Sequence, residues 1–117
     1  MSFWRDEIIQ PALDEMTLRE IAGQRAWIEK EPSNPKPWYQ LASLYRIQGW
    51  QEEAVGLLLE AVRLDAGFAA AHLGLAEIYA IRKESAAAWR HARLAESAGN
   101  PAAVRMLARH NVPEQAE

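Results

Sequence analysis

The chain of 117 residues contains no cysteine, which removes disulfide frameworks, thiolate nucleophiles and cysteine-ligated metals from consideration. It has no basic excess either. Thirteen basic against 16 acidic side chains give a formal net charge of −3, the wrong sign for a protein that lives on nucleic acid or anionic lipid, so neither is expected as a partner. Long apolar runs are missing: charges interrupt every stretch well short of the ~20 residues that span a bilayer. The opening Met1 to Ile9 carries acids where a signal peptide carries bases, and no apolar core with a small-residue cleavage site follows. A cytoplasmic chain is expected, or a periplasmic one if a signal peptide has been removed. Glycine is scarce, with six residues and no phosphate-cradling loop, and no Ser-His-Asp ordering is present. No catalytic residue, cofactor or small-molecule substrate is therefore expected, and the chain does not read as an enzyme.

What is present is a repeat. Trp38-x-x-Leu41-Ala42-x-x-Tyr45 recurs 34 residues on as His72-x-x-Leu75-Ala76-x-x-Tyr79, and the same offset carries Ala54 onto Ala88, Leu58 onto Ala92 and Ala61 onto Ala95. Apolar places at i, i+3, i+4 and i+7 mark one face of a helix, so each period holds two helices. Asn34 caps a helix over Pro35 to Ile47, whose first turn tolerates Pro35 and Pro37 because its N–H groups are unpaired anyway. Gly49 ends it, and a second helix runs from Gln51 to Leu64. The next pair is read as Ala69 to Ile81 and, with Ser85 as cap, onward to Ala98, with Gly99 as stop. Asn100-Pro101 opens a last helix ending near His110. Upstream, Thr17-x-x-Glu20 reads as a capping box for a helix over Leu18 to Lys30, and Ser2 as cap for a shorter one over Phe3 to Gln10. The polar tail from Asn111 to Glu117 is expected to fray.

This pattern resembles the tetratricopeptide repeat, in a small bacterial-type domain. The resemblance implies an all-α fold, a right-handed superhelix of antiparallel helix pairs (an α-solenoid), built as one domain over 1–117. Its parts are a degenerate helical unit at 1–34, repeats at 35–68 and 69–102, and a capping helix with tail at 103–117. His72 stands where the family has Trp, Ala92 replaces a larger residue, Lys83 replaces the turn glycine, and Ala66 and Asn100 replace the closing proline.

Three histidines, at 72, 91 and 110, fall on three different helices and are not expected to share a metal; His72 reads as a core group and the other two as surface groups. The adjacent acidic pairs Asp6-Glu7, Asp14-Glu15 and Glu52-Glu53 diverge by about 100° on a helix and cannot serve one substrate. Five tryptophans are many for this length. Trp38 reads as core and Trp27 as a seam residue, while Trp4, Trp50 and Trp89 are open between packing and partner contact.

With Trp38, Leu41, Ala42 and Tyr45 buried, the opposite face of that helix holds Lys36, Tyr39, Gln40, Ser43, Arg46 and Ile47. The equivalent face of the next repeat holds Ala70, Leu73, Gly74, Glu77, Ala80 and Ile81. The resemblance implies that such faces line a concave groove for a peptide or helix of another protein, with Gly74 leaving room for close approach. Ser43 and Glu77 argue against the version of the family that grips a C-terminal carboxylate, since Glu77 repels it. The expected function is thus a non-enzymatic protein-interaction module, a scaffold or assembly factor. The alternative is homo-oligomerisation, suggested by a net charge of −3 over residues 1–34 and +3 over residues 69–110.

Overall fold

The structure, a computed structural model, describes residues 15–114. The expected helix over Phe3 to Gln10 and the role of Trp4 lie outside them. The described residues form six helices, and the chain divides into two compact units that meet in sequence between Leu64 and Asp65.

The N-terminal unit holds α1 (Glu15–Lys30), α2 (Pro35–Ile47) and α3 (Gln51–Leu64), with α2 packed on both others. Asn34 caps α2 as its position demands: the side chain accepts the Lys36 N–H at 3.0 Å and donates to Glu31 at 3.0 Å. The Thr17-x-x-Glu20 box does not open α1. Helix is already formed at Glu15, so Thr17 lies inside it and the capping reading is corrected. Buried Ile21 and Ile28 of α1, Trp38, Leu41, Ala42 and Tyr45 of α2, and Ala54, Leu57, Leu58 and Ala61 of α3 form the core side of these helices. Tyr45 is fully buried yet keeps its hydroxyl paired, accepting from Arg25 Nη2 at 2.9 Å, and Trp50 meets its ring edge-on at 5.2 Å.

The C-terminal unit holds α4 (Ala69–Ile81), α5 (Ser85–Ser97) and α6 (Ala102–Arg109), each packed on the other two. Ser85 is the first residue of α5; the cap position is Glu84, and its side chain makes no capping bond. Ala76, Ala88 and Ala92 are fully buried and let α4 and α5 close on one another, and Trp89, Ala103 and Leu107 complete that cluster. Asn100 Oδ1 accepts the Ala102 N–H at 2.9 Å, which starts α6. The tail does not fray at once. Trp89 Nε1 donates to the Val112 carbonyl at 3.0 Å, and Arg93 forks onto Glu114 at 2.9 and 2.7 Å, holding that carboxyl below its usual value. The expectation of fraying is corrected as far as Glu114.

Four helix ends close in the same way, with paired backbone bonds over a left-handed residue: Gly49, Lys83, Gly99 and Asn111. Glycine takes that conformation freely and asparagine tolerates it, but Lys83, at φ 63°, carries a Cβ against its carbonyl. Lys83→Gly is expected to stabilise the C-terminal unit by roughly 1 kcal/mol, because relief of the left-handed strain exceeds glycine's extra unfolded entropy. A melting midpoint raised by several degrees, with Lys83→Ala giving no rise, checks it.

Candidate functional site

The outward face of α2 is as its spacing predicts. Lys36, Gln40 and Ile47 are exposed, while Tyr39, Ser43 and Arg46 are half-buried. Ile47 is 77% exposed, a large apolar side chain standing in water at the end of its helix. Two open clefts flank it. One, of about 210 Å³, is lined by Glu20 and Gln24 of α1 and by Gln40, Ser43, Leu44 and Ile47 of α2. The other, of about 350 Å³, is lined by Ser43, Arg46, Ile47 and Gln51. Ser43 and Ile47 belong to both, so the clefts form one furrow along α2.

Four of the six α2 residues expected from the helical wheel are therefore brought together: Gln40, Ser43, Arg46 and Ile47. Lys36 and Tyr39 lie on the same helix outside the lining. Sequence reasoning missed Glu20, Gln24, Leu44 and Gln51. The wheel of α2 alone cannot show which side of α1 borders it, although Glu20 and Gln24 share one face of α1 at an i, i+4 spacing. Gln24 Oε1 is buried without a hydrogen-bond partner. Ser43 spends its hydroxyl proton on the Tyr39 carbonyl at 3.2 Å.

The face expected on α4 is only partly available. Ile81 is 65% exposed, at the repeat position of Ile47. Ala70 and Glu77 are half-buried. Gly74 is buried, so it does not offer room at a surface, and that expectation is corrected. Leu73 and Ala80 are corrected as well: both pack against the cluster of Ala76, Ala88, Trp89, Ala92, Ala103 and Leu107. The physical reason is α6, which lies against α4 and brings Ala103 and Leu107 to the side that the α4–α5 pair alone leaves bare.

Trp50 and Trp89 are buried, which settles both as packing residues. His91 is not a surface group. Its side chain is 6% exposed, and burial, reinforced by His72 and then Arg90, lowers its pKa from 6.5 to about 4. His72 Nδ1 lies 3.0 Å from His91 Nδ1, a hydrogen-bond separation. Two metal bonds of about 2.05 Å at a tetrahedral angle hold their nitrogens roughly 3.3 Å apart, and no third His, Cys, Asp or Glu joins the pair among the described residues.

The helix pairs, their 34-residue register and their matched turns are the geometry of a known repeat. A family model described as tetratricopeptide repeat matches residues 25–56, from the last turns of α1 through α2 into α3. Over that segment the chain is similar to a tetratricopeptide repeat, and the six helices of the described residues support a protein of that type. No curated protein matches it. Tetratricopeptide repeats build protein-interaction modules and are generally non-catalytic, since their pattern encodes small-against-large packing rather than a reaction. Among the described residues, no helix is long and apolar enough to cross a membrane.

Proposed function

We propose that this tetratricopeptide repeat chain is a non-enzymatic interaction module that holds a peptide or a helix of another protein along α2. The observation that carries the reading is Ile47, 77% exposed on the furrow that Gln24, Gln40, Ser43 and Leu44 help to line. An exposed branched side chain beside amide groups supplies what a peptide needs: apolar area for a side chain, and acceptors and donors for its backbone. Ala70, Glu77 and Ile81, the repeat equivalents of Lys36, Ser43 and Ile47, are proposed as further contacts. Lys36, Tyr39 and Arg46 complete the α2 face. A role as scaffold or assembly factor follows from binding without chemistry.

Ile47→Asp is the test, because an exposed side chain can be changed without touching the core. Wild type and variant are compared as tagged baits in a native lysate, after circular dichroism has shown equal helix content. A partner held by wild type is expected to bind the variant at least tenfold more weakly, a loss of ~1–2 kcal/mol. An identical set of captured proteins at unchanged affinity overturns the reading. Sedimentation equilibrium on the same two proteins examines the homo-oligomer, whose wild-type self-association the added charge would abolish.

A further inference from the structure

The 34-residue offset places His72 at the position of Trp38 and His91 at that of Leu57. In the N-terminal unit both places are filled and buried, and the Trp38 Nε1–H donates to the Pro32 carbonyl at 3.1 Å. The C-terminal unit keeps that bond in register. His72 Nε2 lies 2.9 Å from the carbonyl oxygen of Ala66, the equivalent of Pro32. A carbonyl only accepts, so Nε2 of His72 carries the proton and Nδ1 of the neutral ring is left as an acceptor. Its partner at 3.0 Å is His91 Nδ1, which must therefore donate. Both tautomers are fixed by one backbone carbonyl.

The contacts of the two rings, with each other, the Ala66 carbonyl and Tyr79, include no carboxylate. His72 and His91, 3% and 6% exposed, are the buried polar side chains among the described residues. The His91 ring stacks on His72 at 5.2 Å and on Tyr79 at 5.6 Å between centroids. Of the charged groups on the packed elements, Arg90 adjoins His91 on α5 and disfavours its cation. Glu77 of α4 is five residues from His72, about 140° round the helix. Arg93 and Glu96 of α5 pair with each other. Arg105 and Arg109 of α6, and His110 beyond it, are exposed. Asp65, in the turn before α4, is exposed and accepts the Gly67 N–H at 3.1 Å.

We infer that the His72–His91 pair is an acid-sensitive latch: it holds α4 against α5 while it shares a single proton, and it releases them when a second proton is taken up. An added proton leaves an imidazolium buried without a counter-charge, and with both rings charged two Nδ1–H donors face one another. The N-terminal unit has no counterpart, since all three histidines of the chain lie beyond Asp65. The sign follows from His91. Its folded value of about 4 lies below the ordinary 6.5, so the opened state binds protons first as pH falls. Stability is whole above the ordinary value, shrinks as pH drops through it, and stops shrinking near 4.

The latch is tested in the full chain by peptide-resolved hydrogen exchange at pH 7 and pH 5, beside the double variant His72→Trp/His91→Leu, which writes the residues of the first repeat into the second. In the wild type, protection factors across α4 and α5 are expected to fall on the order of tenfold between the two pH values, with those of α2 and α3 unchanged. In the double variant the fall disappears. Equal pH dependence in wild type and variant overturns the inference. Should the variant not fold, long-range proton–nitrogen spectra of the wild-type imidazoles at pH 7 decide instead: Nδ1–H on His91 with Nε2–H on His72 supports the latch, and any other pair of tautomers overturns it.

Discussion

Trp38→Ala is expected to cost the N-terminal unit about 3 to 5 kcal/mol, the range for emptying a buried aromatic site. The indole lies in the same buried face as Leu41, Ala42 and Tyr45, and its loss also leaves the Pro32 carbonyl without its donor at 3.1 Å. A unit of this size has only a few kcal/mol of net stability, so the change removes much of it. Urea unfolding followed by far-ultraviolet circular dichroism measures the effect. Trp38→Phe separates its two parts, since the ring is largely kept and the hydrogen bond is not. It is expected to cost about 1 to 2 kcal/mol. A Trp38→Ala cost below about 1 kcal/mol contradicts the packing assigned to this position.

The helix ends that were legible in the sequence are those whose chemistry is local. Asn34-Pro35 and Gly49 bracket α2 because a side-chain acceptor and a left-handed glycine act within a few residues of the backbone they complete. The start of α1 was not legible for the converse reason. Thr17-x-x-Glu20 has the right residues for a capping box, yet Glu15 and Met16 are already helical, and a motif cannot report that the residues just before it are in the helix.

The candidate site divides in the same way. A helical wheel shows which residues face away from their own hairpin partner, and on α2 these include Gln40, Ser43, Arg46 and Ile47, which line the two clefts. For α4 it did not, because α6 packs against the side left bare, and Leu73 and Ala80 join its cluster. His91 was missed through its neighbours: Arg90 and Arg93 suggested a wet face. The signal was nonetheless in the spacing. Ala88, His91, Ala92 and Ala95 stand at i, i+3, i+4 and i+7, the buried stripe of α5, and all four are buried.

Trp89 shows what burial decides that composition cannot. A tryptophan followed by arginines at i+1 and i+4 suits either a partner contact or a packed wedge, and the two readings differ by several kcal/mol in the isolated protein. The ring lies among Ala76, Ala88, Ala92, Ala103 and Leu107, with the Arg93 guanidinium 5.1 Å from its centroid. Alanine residues make up most of that cluster, and their short side chains cannot move to fill the space an excised indole leaves. Trp89→Ala is accordingly expected to cost the C-terminal unit ~3 to 5 kcal/mol. It also cuts the bond from Nε1 to the Val112 carbonyl, leaving the tail on the fork between Arg93 and Glu114. An exposed ion pair of that kind contributes too little to hold the segment. Trypsin is therefore expected to cut after Arg109 faster in the variant than in the wild type, at temperatures where both remain helical. An unfolding cost near zero with unchanged cleavage would return Trp89 to the surface as a contact residue. A large cost accompanied by early release of the tail establishes it as the wedge on which α4, α5, α6 and the chain end are assembled.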